Sequence, residues 1–226
     1  MTDCTSLKAA DWSLALRERI KTATEAGVDW VQIREKDLPA RELLALARDA
    51  SQIAANFCGA VKASAVCESA LAITETRILV NDRLDVALAA GAAGVHLGRE
   101  SLDVREVSAW CRRGNAPPGF LIGVSCHNLK EAQAAERDGA SYIFFGPVFD
   151  TPSKRTFGEP QGIQPLTEIS TSVDIPVIAI GGIDESNAVE CLQAGAAGVA
   201  AIRMFQKTLN ARELKNGLDR IRRHIL

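Results

Sequence analysis

A closed (β/α)8 barrel of the TIM type, α/β in class, is what three features of this 226-residue chain predict. One local pattern, a helical run closed by glycine and followed by a short apolar strand, occurs four times: EAGVDWVQI at 25–33, AAGAAGVHL at 89–97, RDGASYIFF at 137–145 and QAGAAGVAA at 193–201. Three further apolar runs, Ile78–Val80, Phe120–Val124 and Pro176–Ile180, are continuous rather than alternating, as parallel strands covered on both faces should be. Amphipathic stretches separate the strands. Alternation of this kind implies a parallel sheet, and this many units imply closure.

Taken in order, Met1–Ala10 (MTDCTSLKAA) has little strand character, so the first of eight strands is expected to be truncated or very short. A helix over Ser13–Ala26 ends at Gly27, where the absence of Cβ permits the left-handed conformation that closes a helix. Gly91, Gly139 and Gly195 are expected to close later helices in the same way. The strand ending at Ile33 leads to a helix over Ala40–Asn56. Cys58–Thr74 reads as a helix extension or an inserted turn, with no assigned chemistry. Helices over Leu84–Ala90, Val104–Arg112, Leu129–Arg137 and Glu185–Ala194 follow later strands, and a last helix covers Ala211–Ile225. The copies at 89–97 and 193–201 share AGAAGV verbatim, as two halves of one barrel can. Residues 1–226 read as a single domain.

At 47% hydrophobic residues the chain can bury a sizeable core, while a net charge of −2 carries no nucleic-acid signature. No apolar run approaches the roughly 20 residues that span a bilayer, and no signal-peptide pattern opens the chain. Six cysteines (Cys4, Cys58, Cys67, Cys111, Cys126, Cys191) form no CxxC pair and read as reduced thiols of a cytoplasmic protein. Apolar residues at an open barrel edge would need covering, which makes a homodimer compatible with the sequence.

Chemistry in such barrels sits at the C-terminal ends of the strands. Gln32, Arg34 and Lys36 come after Val31, and alternation along an extended strand would place all three on one side. An amide, a guanidinium and an ammonium together suit a phosphate or diphosphate; the plain alternative is a solvated strand end. Asn81, Asp82, Arg83 and Asp85 follow Val80. A carboxylate there suits Mg²⁺, and Asn81 or Asp82 can equally cap the helix that starts at Leu84. His96 ends the next strand ahead of Gly98, Arg99, Glu100 and Ser101, while Ser125 and His127 end the one after. Either histidine titrates near neutrality and can move a proton, or is structural. The loop at 146–162 (GPVFDTPSKRTFGEPQG) reads as a lid whose Thr151, Ser153 and Lys154 are anion ligands. Gly181, Gly182 and the backbone at Ile202 and Arg203 form the phosphate site expected of the last two strands.

The motifs VQIREK (31–36), NDRLDVAL (81–88), GVHLG (94–98), GVSCH (123–127), FGPVFDTPSK (145–154), IPVIAIGG (175–182) and AGAAGVA (194–200) resemble the thiamine phosphate synthase / TenI-like thiazole tautomerase family. The likeness runs from Thr2 to Phe205. Resemblance to the synthases implies that a hydroxymethylpyrimidine diphosphate loses diphosphate to give a pyrimidine-methyl cation. The ring nitrogen of a thiazole phosphate then captures that cation, giving thiamine phosphate. It further implies that Gln32, Arg34, Lys36 and Asn81 hold the pyrimidine diphosphate, that Asp82 ligates Mg²⁺, and that Ser125 and Lys154 touch the diphosphate. Thr151, Ser153, Gly182, Ile202 and Arg203 are implied to hold the thiazole phosphate; His96 and Gly181 are further substrate-binding candidates from their places at strand ends. Lys36, Ser125, His127 and Lys154 form the implied catalytic set.

Resemblance to the tautomerases implies instead a metal-free double-bond shift in a thiazole carboxylate phosphate, with His127 as proton shuttle. A non-catalytic phosphate-binding barrel is a third reading. Ser101, in GVHLGRESL, stands where synthases usually carry a second Mg²⁺-binding aspartate, which should weaken metal binding. Arg203 stands where they usually carry serine. Family members open with a strand of the type YxITD, and Met1 takes the place of its isoleucine, so the first-strand residues are expected to lie upstream of this start.

Overall fold

A computed structural model describes residues 1–2, 12–64, 75–151, 159–207 and 210–224. Contacts divide the chain into two compact units, Met1–Gly94 with Phe205–Leu218, and Val95–Met204 with Asp219–Leu226.

The first unit is built from helix α1 (Trp12–Glu25), strand β1 (Trp30–Ile33), helix α2 (Ala40–Ser64), strand β2 (Arg77–Asn81) and helix α3 (Leu84–Ala89). β1 and β2 pair in parallel, with Val31 opposite Ile78 and Ile33 opposite Val80. Ile33, Leu79 and Val80 are wholly buried, as strands covered on both faces require. α2 buries Leu43, Leu46, Ala47, Ala50 and Ala54, the i, i+3, i+4, i+7 stripe of a helix lying on a sheet. The helix runs through Cys58 to Ser64, so the first part of the 58–74 stretch is helical; residues 65–74, including Cys67, lie outside the described residues.

Beside β1, the Thr2 N–H donates to the Gln32 carbonyl at 2.8 Å, and the Thr2 hydroxyl accepts from the Arg34 N–H at 2.8 Å. The rest of the expected first strand, with Cys4, lies outside the described residues.

Strand β3 (Gly94–Leu97) leads into the second unit. There follow α4 (Val104–Trp110), which runs on into a π-helical turn at Cys111–Asn115, β4 (Leu121–Cys126), α5 (Leu129–Arg137), β5 (Tyr142–Phe145), α6 (Ile163–Ser172), β6 (Val177–Ile180), α7 (Ala188–Gln193) and β7 (Gly198–Ala200). β4 to β7 pair in chain order and in parallel. Short α8 (Arg203–Lys207) and α9 (Ala211–Arg222) complete the chain's elements; Ile225 lies outside the described residues.

All seven expected strands form, and Gly27, Gly91, Gly139 and Gly195 adopt the left-handed conformation. β4 continues past Val124 to Cys126, which makes Ser125 a strand residue. Helices α6 and α8 have no counterpart in the sequence reading. In α6, Pro165 and four hydroxyl residues mask the helical pattern. Proline is tolerated in a first turn because its missing N–H would be unpaired there. Thr167, Thr171 and Ser172 donate to carbonyls three or four residues back, and Leu166 and Ile169 supply the buried face.

Cys58, Cys111, Cys126 and Cys191 are free thiols. Burial pushes Cys126 up to about 12 and Cys191 to about 11, which keeps both as inert core residues. No described helix is long and apolar enough to cross a membrane.

Candidate functional site

In the first unit the polar residues gather at the ends of β1 and β2. Gln32 is 3% exposed, and its Nε2 donates to the Asn81 Oδ1 at 3.0 Å, which ties the two strand ends together. The Gln32 Oε1 is buried without a hydrogen-bond partner among the described residues. Such an orphan costs about 1–3 kcal/mol unless a ligand donor reaches it.

β1 stops at Ile33, ahead of Arg34 and Lys36. Arg34 is half-buried, Glu35 is the buried side chain, and Lys36 is exposed in a turn.

Asp82 has φ +70, the one left-handed non-glycine among the described residues. A side chain held there costs about 1–3 kcal/mol and is typical of a functional turn. Its carboxylate is exposed. Arg83, not Asn81 or Asp82, is the N-cap position of α3, and no side chain caps that helix, so the capping alternative fails. Arg83 is engaged by Asp85, at 2.9 and 2.5 Å. The bond from Arg83 holds the Asp85 carboxyl below its ordinary range.

The second unit gathers its polar groups at the ends of β3, β4 and β5. His96 is 2% exposed, so it stands behind Ser125 rather than on a surface that a ligand can touch. Its Nε2 lies 2.9 Å from the Ser125 Oγ, and its Nδ1 lies 3.2 Å from the Tyr142 hydroxyl. A cavity of about 270 Å³ lies against α4 and α5, lined by Asp103, Val104, Glu131, Ala134, Ala135 and Asp138 together with residues 124–127 and the start of the loop after β3.

The His127 Nδ1 lies 2.6 Å from the Gly146 carbonyl. A carbonyl only accepts, so Nδ1 carries the proton and Nε2 is left as the basic nitrogen. The Glu131 carboxylate accepts from the His127 N–H at 2.6 Å, and Asn128 caps α5. The Ser101 hydroxyl accepts from the Gly98 N–H at 2.7 Å, so one of its lone pairs is already used inside its own loop.

Gly181 and Gly182 follow β6 with φ +101 and +68. A Cβ on Gly182 would lie 2.6 Å from the Asp150 carbonyl, so only glycine lets the two segments approach. Thr151 is buried, Ile202 half-buried and Arg203 exposed at the start of α8. Ser153 and Lys154 lie outside the described residues. Tyr142, Gly123 and Glu131 were not foreseen as site residues. Only the glycine in GVSCH hinted that something must approach β4 closely.

Parallel strands alternating with helices, and polar side chains collected at the strands' C-terminal ends, define an enzyme of the (β/α)8 barrel class. The family described as thiamine monophosphate synthase matches residues 6–205, and the chain belongs to that family. A thiamine-phosphate synthase of Methanoculleus marisnigri is 41% identical, over 80% of this chain and 76% of its own. One from Roseiflexus castenholzii is 39% identical, over 83% and 73%. The solved thiamine phosphate pyrophosphorylase from Pyrococcus furiosus superposes with a TM-score of 0.76 at 31% identity, covering 98% of this chain and 93% of that one. FabK from Thermotoga maritima, at 18% identity and a TM-score of 0.57, shares the fold alone.

Proposed function

We propose that the chain is a transferase that joins hydroxymethylpyrimidine diphosphate to thiazole phosphate, releasing diphosphate and thiamine phosphate. The match of the synthase family across residues 6–205, with named synthases about two-fifths identical, carries this reading. The C–O bond to the diphosphate breaks, the leaving group departs with the electron pair, and the thiazole nitrogen's lone pair forms the new C–N bond. No proton is consumed in that balance. The chain's work is to place the two substrates and to stabilise charge that grows on the leaving group.

Gln32, through its unpartnered oxygen, and Asn81 are suited to the pyrimidine. By family resemblance Arg34 and Lys36 are assigned as cations for the diphosphate, and Ser125 as a hydroxyl. Lys154 takes the same role by family resemblance. Thr151, Ser153, Gly181, Gly182 and the backbone at Ile202 and Arg203 are assigned to the thiazole phosphate. His96 acts through Ser125.

Mg²⁺ usually keeps several waters and takes one or two carboxylates plus substrate phosphates. The donor chemistry fits that habit at one residue: the Asp82 carboxylate is exposed and makes no hydrogen bond among the described residues, which hold no cluster of three metal-ligating side chains. When bound, the ion would neutralise charge on the departing diphosphate. Ser101 offers only a hydroxyl already engaged by Gly98. A cytoplasmic enzyme of small phosphorylated substrates, assembled as a homodimer, completes the reading.

Purified protein supplied with both substrates, with Mg²⁺ or with chelator, tests it. Metal-dependent thiamine phosphate is expected. Folded protein that binds the thiazole phosphate yet yields no product refutes it. The proton placement on His127 favours one second reading, a thiazole tautomerase with Nε2 as base. Metal-free isomerisation of a thiazole carboxylate phosphate, lost in His127→Asn, would establish that activity.

A further inference from the structure

We infer that Tyr142 and His96 are positioning residues that orient the Ser125 hydroxyl as a hydrogen-bond donor to a phosphate oxygen of the substrate. The inference deepens the proposed function and rests on it for the identity of the ligand.

The three groups form a line from the core to the end of β4. Tyr142 is wholly buried, His96 is 2% exposed and Ser125 is half-buried near the end of β4. The tilted rings of Phe144 and Tyr142, with centroids 4.3 and 5.7 Å from that of His96, hold the imidazole in place. Space for the contact is reserved on β4. A Cβ on Gly123 would collide with the end of the Tyr142 ring and lie 2.6 Å from the His96 Nδ1.

Hydrogen-bond chemistry then sets the direction of the line. Burial pushes the Tyr142 phenol above its ordinary range, so it stays protonated at neutral pH. A phenol is a stronger donor and a poorer acceptor than an aliphatic hydroxyl, and the bare nitrogen of a neutral imidazole is a stronger acceptor than either hydroxyl. The matched arrangement has the Tyr142 O–H donating to the His96 Nδ1, and the Nε2–H donating to the Ser125 Oγ. Ser125 has one proton and two lone pairs. With a lone pair taken by His96, its proton must turn away from the imidazole and is left for the diphosphate that the proposed function assigns to Ser125. In the opposite polarity Ser125 would donate into the core and offer an anion only lone pairs.

The test uses the full chain labelled with ¹⁵N. It has three histidines, His96, His127 and His224, so signals are assigned with His127→Asn and His224→Gln. Long-range ¹⁵N–¹H spectra at neutral pH should show His96 protonated at Nε2 and bare at Nδ1. Calorimetry with inorganic diphosphate should show Tyr142→Phe binding about fivefold more weakly, the value of one neutral hydrogen bond. His96→Leu should do the same. His96→Gln should recover most of the affinity, since its amide can accept from Tyr142 and donate to Ser125. An Nδ1–H signal in the unmodified chain, or Tyr142→Phe affinity within about twofold of it, overturns the inference. A chain that makes no thiamine phosphate yet shows the Nε2–H form and the fivefold loss refutes the proposed function and leaves the relay standing.

Discussion

Gly123→Ala puts the packing around this line to a direct test. The new Cβ would overlap the terminal atoms of the Tyr142 ring and sit 2.6 Å from the His96 Nδ1, whereas real Cβ atoms hardly ever approach another atom below 3.0 Å. Tyr142 cannot swing aside freely, because it is wholly buried and packs against Phe144 with ring centroids 5.5 Å apart. Overfilling a tight core costs about 1–3 kcal/mol. At this chain length each kcal/mol lowers the melting temperature by roughly 2–4 °C, so a fall of about 2–12 °C is expected in a calorimetric scan. Gly119→Ala is the contrast: φ is +76 there and a Cβ meets nothing within 4 Å, so that variant carries only the backbone cost and leaves the His96 spectrum unchanged. A double-mutant cycle with Tyr142→Leu, which removes the crowded ring, should be less than additive by about 1 kcal/mol. A Gly123→Ala protein melting within about 1 °C of the parent, with an additive cycle, would refute the packing argument.

Other expectations can be checked more briefly. Ser101→Asp should raise Mg²⁺ affinity severalfold in a metal titration of turnover, by adding a carboxylate; no gain would show that Asp82 and the substrate suffice. Lys36→Ala should cut turnover strongly, its exposed ammonium being suited to a mobile diphosphate; unchanged steady-state kinetics would remove Lys36 from the site. Asn128→Ala removes the side chain that accepts from the Glu131 N–H and caps α5, and should cost about 1 kcal/mol in denaturant unfolding.

What the residues disclosed, and what they hid, follow from range of interaction. The strands were legible because burial on both faces writes a continuous apolar run, as in YIFF and VIAI, and the helix ends because glycine marks them. α6 was hidden since its hydroxyls satisfy carbonyls locally, a pattern that also occurs in turns. The end of β1 was hidden because alternation in a sequence does not say where a ladder stops; Lys36 falls in the turn beyond it. His96 and Ser125 were recognisable as strand-end residues, but Tyr142, 46 positions from its histidine, enters only through the pairing of strands in space. Ser153 and Lys154 rest on motif alone.

The glycines at the ends of β5 and β6 bear on how such proteins can be recombined. A Cβ on Gly181 would lie 2.5 Å from Pro147, and one on Gly182 2.6 Å from the Asp150 carbonyl; one on Gly146 would run into the Ile180 carbonyl. Backbone bonds from Val148 and Phe149 to Ile180 and Gly181 lock the same two segments together. Residues 146–151 and 180–183 are thus one inherited block, although some thirty positions of chain separate them. A chimera that takes its lid from one relative and its β6 turn from another splits that block, while a crossover in the exposed residues between α6 and β6 leaves each half of it beside a mismatched partner. Shuffling experiments should therefore recover parents that exchange both segments together, and natural drift at one should be mirrored at the other.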